Sequence, residues 1–171
     1  MKKVLIIAVA MLLCTGLVLH AAGRDKLGAY IGWPVGLSYS HEFNNYVELD
    51  LLVGISGFGL GLPDWFSRGG LAIQLGPLFT VTDTKIDGTP CPFVIGPVFG
   101  ITVDPWDGWY PALDVLCAFR WEFFPKTVKH FNIFLEYAPG LTAYLYDRGA
   151  SGISDQFSFA SRAGLGLRYA W

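Results

Sequence analysis

The last stretch of the chain, Gly164-Leu165-Gly166-Leu167-Arg168-Tyr169-Ala170-Trp171, alternates large apolar side chains with Gly, Arg or Ala. Extending it backwards gives the outward series Phe157, Phe159, Ser161, Ala163, Leu165, Leu167, Tyr169, Trp171, set against Ser158, Ala160, Arg162, Gly164, Gly166, Arg168, Ala170. A period of two is the signature of a β-strand, and it confines the chain to folds in which one strand face is apolar and the other polar. Here every charge sits on the face that carries the small residues, so that face suits a crowded polar interior and the other suits lipid.

The same pattern recurs upstream. Leu113, Val115, Cys117, Phe119, Trp121 and Phe123 oppose Ala112, Asp114, Leu116, Ala118, Arg120 and Glu122. Phe131, Ile133, Leu135, Tyr137, Pro139 and Leu141 oppose Asn132, Phe134, Glu136, Ala138, Gly140 and Thr142. Val47, Leu49, Leu51 and Val53 oppose Glu48, Asp50, Leu52 and Gly54, and weaker alternations run over Leu71 to Thr82 and Phe93 to Thr102. No segment shows competing helical periodicity.

Composition sharpens this. The 171 residues are 53% hydrophobic and 16% aromatic but only 15% charged, against ~25% charged in soluble domains. After Leu19 there is no apolar run long enough for a spanning helix. A closed barrel is the other way to satisfy a backbone in lipid. Net charge is -2, which speaks against a nucleic-acid partner, whose footprint is a basic stripe.

Met1-Lys2-Lys3, the apolar run Val4 to Leu19 and then His20-Ala21-Ala22 read as a secretory signal peptide over residues 1–22, leaving one domain over 23–171. An uncleaved anchor and lipidation at Cys14 are the alternatives, disfavoured by the short run and by bulky Leu13 before the cysteine.

Turns are written at Asn44-Asn45, Leu62 to Gly70, Asp83 to Pro90, Asp104 to Gly108, Pro125 to Thr127 and Asp147 to Asp155. Taken as single strands, the intervening segments come to an odd number, whereas single-chain bacterial barrels have an even one. The first segment, Leu27 to Phe43, is far longer than the ~9 to 11 residues of a tilted spanning strand. A reversal at Gly32 to Gly36 makes eight strands; one long strand bent at Pro34 is the alternative. The expected fold is therefore all-β, an antiparallel up-and-down transmembrane β-barrel with both ends in the periplasm. Trp121, Phe123, Tyr169 and Trp171 then share one interfacial girdle.

The signal-like start, the alternation and the terminal Gly166-x-x-Tyr169-x-Trp171 together resemble the small eight-stranded bacterial outer-membrane barrels of the OmpA, OmpX and OmpW type. Gly164 stands where that terminal pattern usually has a polar residue. The resemblance implies outer-membrane location, surrounding outer-membrane lipid, and delivery by periplasmic chaperones and the barrel-assembly machinery, with Gly166, Tyr169 and Trp171 as the assembly signal. It implies little about activity.

The inward ionisable residues are Glu42, Glu48, Asp50, Asp114, Arg120, Glu122, Glu136, Arg162 and Arg168. The interior of an eight-stranded barrel is just wide enough to be filled by side chains, so these charges are expected to meet. Pairing Arg120 with Phe134 and Phe134 with Arg168 sets Glu136 diagonal to both arginines, with Glu122 and Glu48 close by. Counting strands also puts Cys91 about opposite Trp121 and Cys117 opposite Ile95, roughly 13 Å apart at strand rise, which predicts two free thiols.

Ser38, Ser40 and Glu42 face inward while His41 faces outward, so Ser and His cannot share a proton. No metal signature, cofactor motif or catalytic constellation is expected. Trp65, Phe66, Trp106 and Trp109 lie in the longer connections, as interfacial aromatics or as contacts for an extracellular ligand. The leading expectation is a non-enzymatic barrel with a structural, surface-interaction or adhesin-like role. The alternatives are a small channel or transporter for ions or hydrophobic compounds, as the OmpW resemblance implies, and, third, a lipid-modifying enzyme. A filled lumen favours the first; a continuous lumen, or a lateral gap beside Pro77, Pro97 or Pro139, favours transport.

Overall fold

A computed structural model of the chain describes residues 24–56, 70–104, 110–128, 130–145 and 157–171. Eight strands follow one another: β1 (Arg24–Trp33), β2 (Val35–Asn44), β3 (Val47–Ser56), β4 (Gly70–Ile86), β5 (Thr89–Asp104), β6 (Tyr110–Phe123), β7 (Phe131–Tyr144) and β8 (Phe157–Ala170). Each pairs antiparallel with its neighbour in sequence, and β1 pairs with β8 to close an up-and-down barrel.

The long first segment is two strands. β1 and β2 pair from Arg24↔Glu42 to Tyr30↔Gly36, with Pro34 at the reversal. Proline cannot donate to a ladder, which fits a position between strands rather than within one. The first strand starts earlier than Leu27, and this brings Arg24, Asp25 and Lys26 into the sheet.

The stretch Asp83 to Pro90 is not a loop. β4 and β5 continue as a hairpin to Ile86↔Thr89 and reverse over Asp87 (φ 51°) and Gly88 (φ 68°). Two positive φ angles in a two-residue connection are the requirement of a type I′ turn, for which Asp-Gly is a preferred pair. Thr84 Oγ1 donates to Cys91 O at 2.6 Å and Lys126 Nζ to Asp87 O at 2.6 Å, tying the hairpin tip together and to the β6–β7 connection.

The faces follow the alternation. Leu135, Leu141, Phe99, Phe159, Leu165 and Leu167 are exposed on the outside, while Phe134, Ala138, Arg120 and Arg168 are buried inside. The interior at the waist is tight. A Cβ at Gly96 would lie 2.0 Å from Pro77 O, and one at Gly76 2.1 Å from Pro97 O, so these strands approach closer than any side-chain-bearing residue permits. The β4–β5 ladder skips the positions around Pro77 and Pro97, and the β6–β7 ladder those beside Pro139, but the close approach at Gly76 and Gly96 leaves no lateral gap between β4 and β5.

Two apolar clusters flank the polar interior: Leu78, Val94, Val98, Leu116, Ala118 and Ala138 on the β4–β7 wall, and Tyr30, Leu52 and Phe134 across from it. Trp171 and Tyr169 stack at 6.3 Å and Tyr169 meets Phe131 edge-on at 5.7 Å, on the rim that also carries the start of β1. Trp121 packs on Phe93 of β5 at 5.2 Å instead. The two thiols are free, Cys91 buried and Cys117 exposed. Cys117 pairs with Pro97, not Ile95, and Trp121 with Phe93, not Cys91, which is a two-residue correction to the expected register.

Candidate functional site

At the waist, the inward positions of β1, β2, β3, β6, β7 and β8 bring their charges to one place. Lys26 Nζ lies 2.6 Å from Glu42 Oε1 and 2.9 Å from both Glu48 Oε2 and Glu122 Oε2. Arg120 reaches Glu136 Oε2 through Nη2 at 2.6 Å, Glu48 Oε1 through Nη1 at 2.9 Å and Asp50 Oδ2 through Nη2 at 2.8 Å. Arg168 reaches Glu122 Oε1 at 2.5 Å and Asp50 Oδ1 at 3.3 Å, and donates to Asn132 Oδ1 and Ser40 Oγ at 2.9 and 2.8 Å. Arg162 Nε lies 2.5 Å from Glu136 Oε1, and its Nη1 donates to Gln74 Oε1 at 2.6 Å.

The buried cations of this network, Lys26, Arg120, Arg162 and Arg168, equal in number its buried anions Glu48, Asp50, Glu122 and Glu136. Such balance is what makes burial tolerable, since an isolated ion out of water costs several kcal/mol (~). Phe134 sits at its centre, with the guanidinium carbons of Arg120 and Arg168 each 4.3 Å from the ring centroid. The ring separates two like charges while attracting both. It rests on Gly166, where a Cβ would lie 2.0 Å from the ring.

The structure thus brings Arg120, Glu122, Glu136, Arg162, Arg168 and Glu48 into one network. Glu136 lies directly opposite Arg120 and opposite Gly164, rather than diagonal to Arg120 and Arg168, and its second cation is Arg162. Arg168 binds Glu122 and Asp50 instead. Lys26 joins the network because β1 starts at Arg24, three residues before the Leu27 start that the sequence suggests. Its signal was available: it lies an even number of residues before Gly28 and Tyr30 on the same face. Trp65, Phe66, Trp106 and Trp109 lie outside the described residues, as does the 1–22 segment.

Other polar groups stand apart. Asp114 accepts from Thr102 Oγ1 at 2.9 Å and Thr142 Oγ1 at 2.5 Å, with no cation against it among the described residues. On the outside of the barrel Asp25 Oδ1 takes the Tyr39 hydroxyl at 2.7 Å and meets His41 Nδ1 at 2.8 Å. This pair breaks the apolar-outside rule and was not foreseen. Ser38 and Ser40 are buried in the lumen and Ser40 is bound to Arg168, so neither faces His41.

Compared with protein-family models, with curated proteins and with solved structures, the chain matches none.

Proposed function

We propose that the chain is an integral outer-membrane β-barrel, without enzymatic activity, whose waist is closed by the Lys26–Arg168 charge network. Its role is structural or is exercised by surface contacts through the connections at the rim opposite Trp171. The observation that carries this reading is the inverted distribution of side chains: charges turned into the barrel, and Leu, Phe and Val turned out. A soluble ligand-carrying barrel would have the reverse.

The supporting features agree in direction. Residues 1–22 read as an export signal, and Gly166, Tyr169 and Trp171 as the mark by which the assembly machinery and its chaperones receive the chain. The Trp171 rim then faces the periplasm. A transport role is the second reading, favoured by the skipped ladder positions beside Pro139, next to the buried apolar residues Leu116, Ala118 and Ala138.

The test is fractionation of expressing cells, with protease applied to intact cells and unboiled samples run beside boiled ones. The proposal expects the protein in the outer-membrane fraction, a mobility shift on boiling, and cleavage confined to the connections 57–69, 105–109 and 146–156. Recovery in a soluble fraction, or cleavage at Asp87-Gly88 on intact cells, overturns it.

A further inference from the structure

The hairpin of β4 and β5 outruns its neighbours at the Trp171 rim. β3 leaves β4 at Val47↔Phe79, and the last bond from that side is Thr80 N–H to Tyr46 O at 2.8 Å. There β3 turns back through Asn44, whose Oδ1 accepts from Tyr46 N and Val47 N. β4 continues through Val81, Thr82, Asp83, Thr84, Lys85 and Ile86, every one of them exposed. Among the described residues no strand pairs with this side of β4 beyond Thr80. The other side of the hairpin differs. Phe124 N, just past β6, donates to Pro90 O at 3.3 Å, and Lys126 Nζ holds the turn at Asp87 O.

Which backbone groups the open side presents follows from the turn. A two-residue turn is closed by a hydrogen-bonded pair, here Ile86 and Thr89, and bonded and non-bonded pairs then alternate along an antiparallel ladder. Thr84↔Cys91 is therefore bonded, while Lys85↔Pro90 and Asp83↔Pro92 are not. The prolines agree: they have no N–H to give, and they stand opposite the residues that ask for none. The N–H and C=O of Asp83 and Lys85 thus point away from β5, to the open side. Tyr46, 70% exposed, and Val81, 58%, lie at one end of these groups, and Ile86, 59%, at the other.

Donors and acceptors set out in strand geometry are a template for another strand. Edge charges ordinarily deter such pairing, but Asp83 and Lys85 have opposite signs, so they repel one arrangement and attract another. A strand added antiparallel sets its residues directly opposite Lys85 and Asp83, and the attractive order, read from its N-terminus, is acidic, any residue, basic. A second copy carries that order in Asp83-Thr84-Lys85 itself. Antiparallel pairing would turn one barrel upside down relative to the other, however, which two copies in one membrane cannot do. We propose that the open side of β4 is a docking edge for an extended segment of another protein, added antiparallel with an acidic side chain opposite Lys85 and a basic one opposite Asp83. The edge is independent of the barrel's role; that its partner is periplasmic rests on the orientation proposed above.

The test uses the isotope-labelled full barrel in lipid nanodiscs, which set the rim against headgroups and keep copies apart. It is titrated with a soluble, end-capped peptide carrying Glu-Thr-Lys between valines. Two controls run in parallel: the Lys-Thr-Glu peptide of the same composition, and the first peptide N-methylated at its glutamate, whose N–H the ladder needs. With the first peptide, saturable shifts and slowed hydrogen exchange are expected at the Asp83 and Lys85 amides. The Lys-Thr-Glu peptide is expected to bind about fivefold more weakly, because two opposite-charge pairs become two like-charge pairs. The N-methylated peptide is expected not to bind. The double variant Asp83→Lys with Lys85→Asp changes only exposed side chains and is expected to reverse the preference between the two charge orders. No saturable shift with any peptide overturns the proposal, as does equal binding by the two charge orders, an unreversed preference in the double variant, or tight binding of the N-methylated peptide. So does slow exchange of these two amides before any peptide is added, which is the result where lipid headgroups cover the edge.

Discussion

Arg120 stands directly across the β6–β7 ladder from Glu136, and both its Nε, at 2.8 Å, and its Nη2, at 2.6 Å, contact the same oxygen, Oε2. The other carboxylate oxygen is left to Arg162 at 2.5 Å, so a single glutamate is shared between two buried guanidinium groups.

Replacing that glutamate is therefore expected to be costly. Glu136→Gln leaves Arg120 and Arg162 facing each other with one anion too few, a loss of about 3 to 5 kcal/mol. Urea unfolding of the refolded barrel in lipid vesicles measures it. The double variant Glu136→Gln with Arg162→Gln restores the balance and is expected to lose less than the single one, a non-additivity that a mere packing role does not give.

Because the network fills the lumen, the protein is expected to be silent in a planar bilayer. Stepwise conductance by the wild-type barrel contradicts the closed waist. Conductance gained by Glu136→Ala places the block at this glutamate, whereas silence in both proteins shows that the remaining side chains suffice to fill the waist.

Gly166 has two candidate roles, as part of an assembly signal and as the seat of the Phe134 ring. Gly166→Ala drives a methyl group into that ring, an overpacking cost of about 1 to 3 kcal/mol. Refolding in vitro, where no assembly machinery is present, separates the roles. Destabilisation that Phe134→Leu partly relieves assigns the glycine to packing; wild-type refolding with failed insertion in cells assigns it to delivery.

The outward face supplies a further test. Leu135→Arg or Leu165→Arg, each on an exposed leucine near mid-strand, is expected to lose ~2 to 4 kcal/mol on refolding into vesicles. The same exchange in a soluble barrel costs almost nothing at an exposed position, so an unchanged unfolding midpoint argues against a lipid-facing wall.

Face assignment was legible because a period of two runs through the strands, most cleanly from Leu113 to Glu122; the strand number needed the even count of closed barrels as well, since Leu27 to Phe43 reads as one segment. Register was not legible. A slip of two residues leaves every side chain on its face, so nothing in the alternation distinguishes Arg120 opposite Phe134 from Arg120 opposite Glu136. The Asp87-Gly88 turn was hidden inside a polar, proline-bearing stretch that reads as loop, although Asp-Gly itself carried the signal. Asp25 and His41 were illegible for a different reason. They are polar residues on the outward side, and only the pairing Asp25↔His41 with Tyr39 alongside gives them partners. Phe134 read as an ordinary inward aromatic; its place between two arginines depends on side chains converging from β6 and β8.

The central claim is that one face of each strand meets lipid and the other a closed interior. A spin-label scan of single-cysteine variants along β8, from Phe159 to Tyr169 in vesicles and with the native cysteines replaced, tests it most directly. Accessibility to oxygen is expected to peak at Phe159, Ala163, Leu165 and Leu167 and to be low at Ala160, Gly164 and Gly166, with a water-soluble relaxation agent excluded from the first set. Ready access of the water-soluble agent to Leu165 and Leu167 contradicts the account.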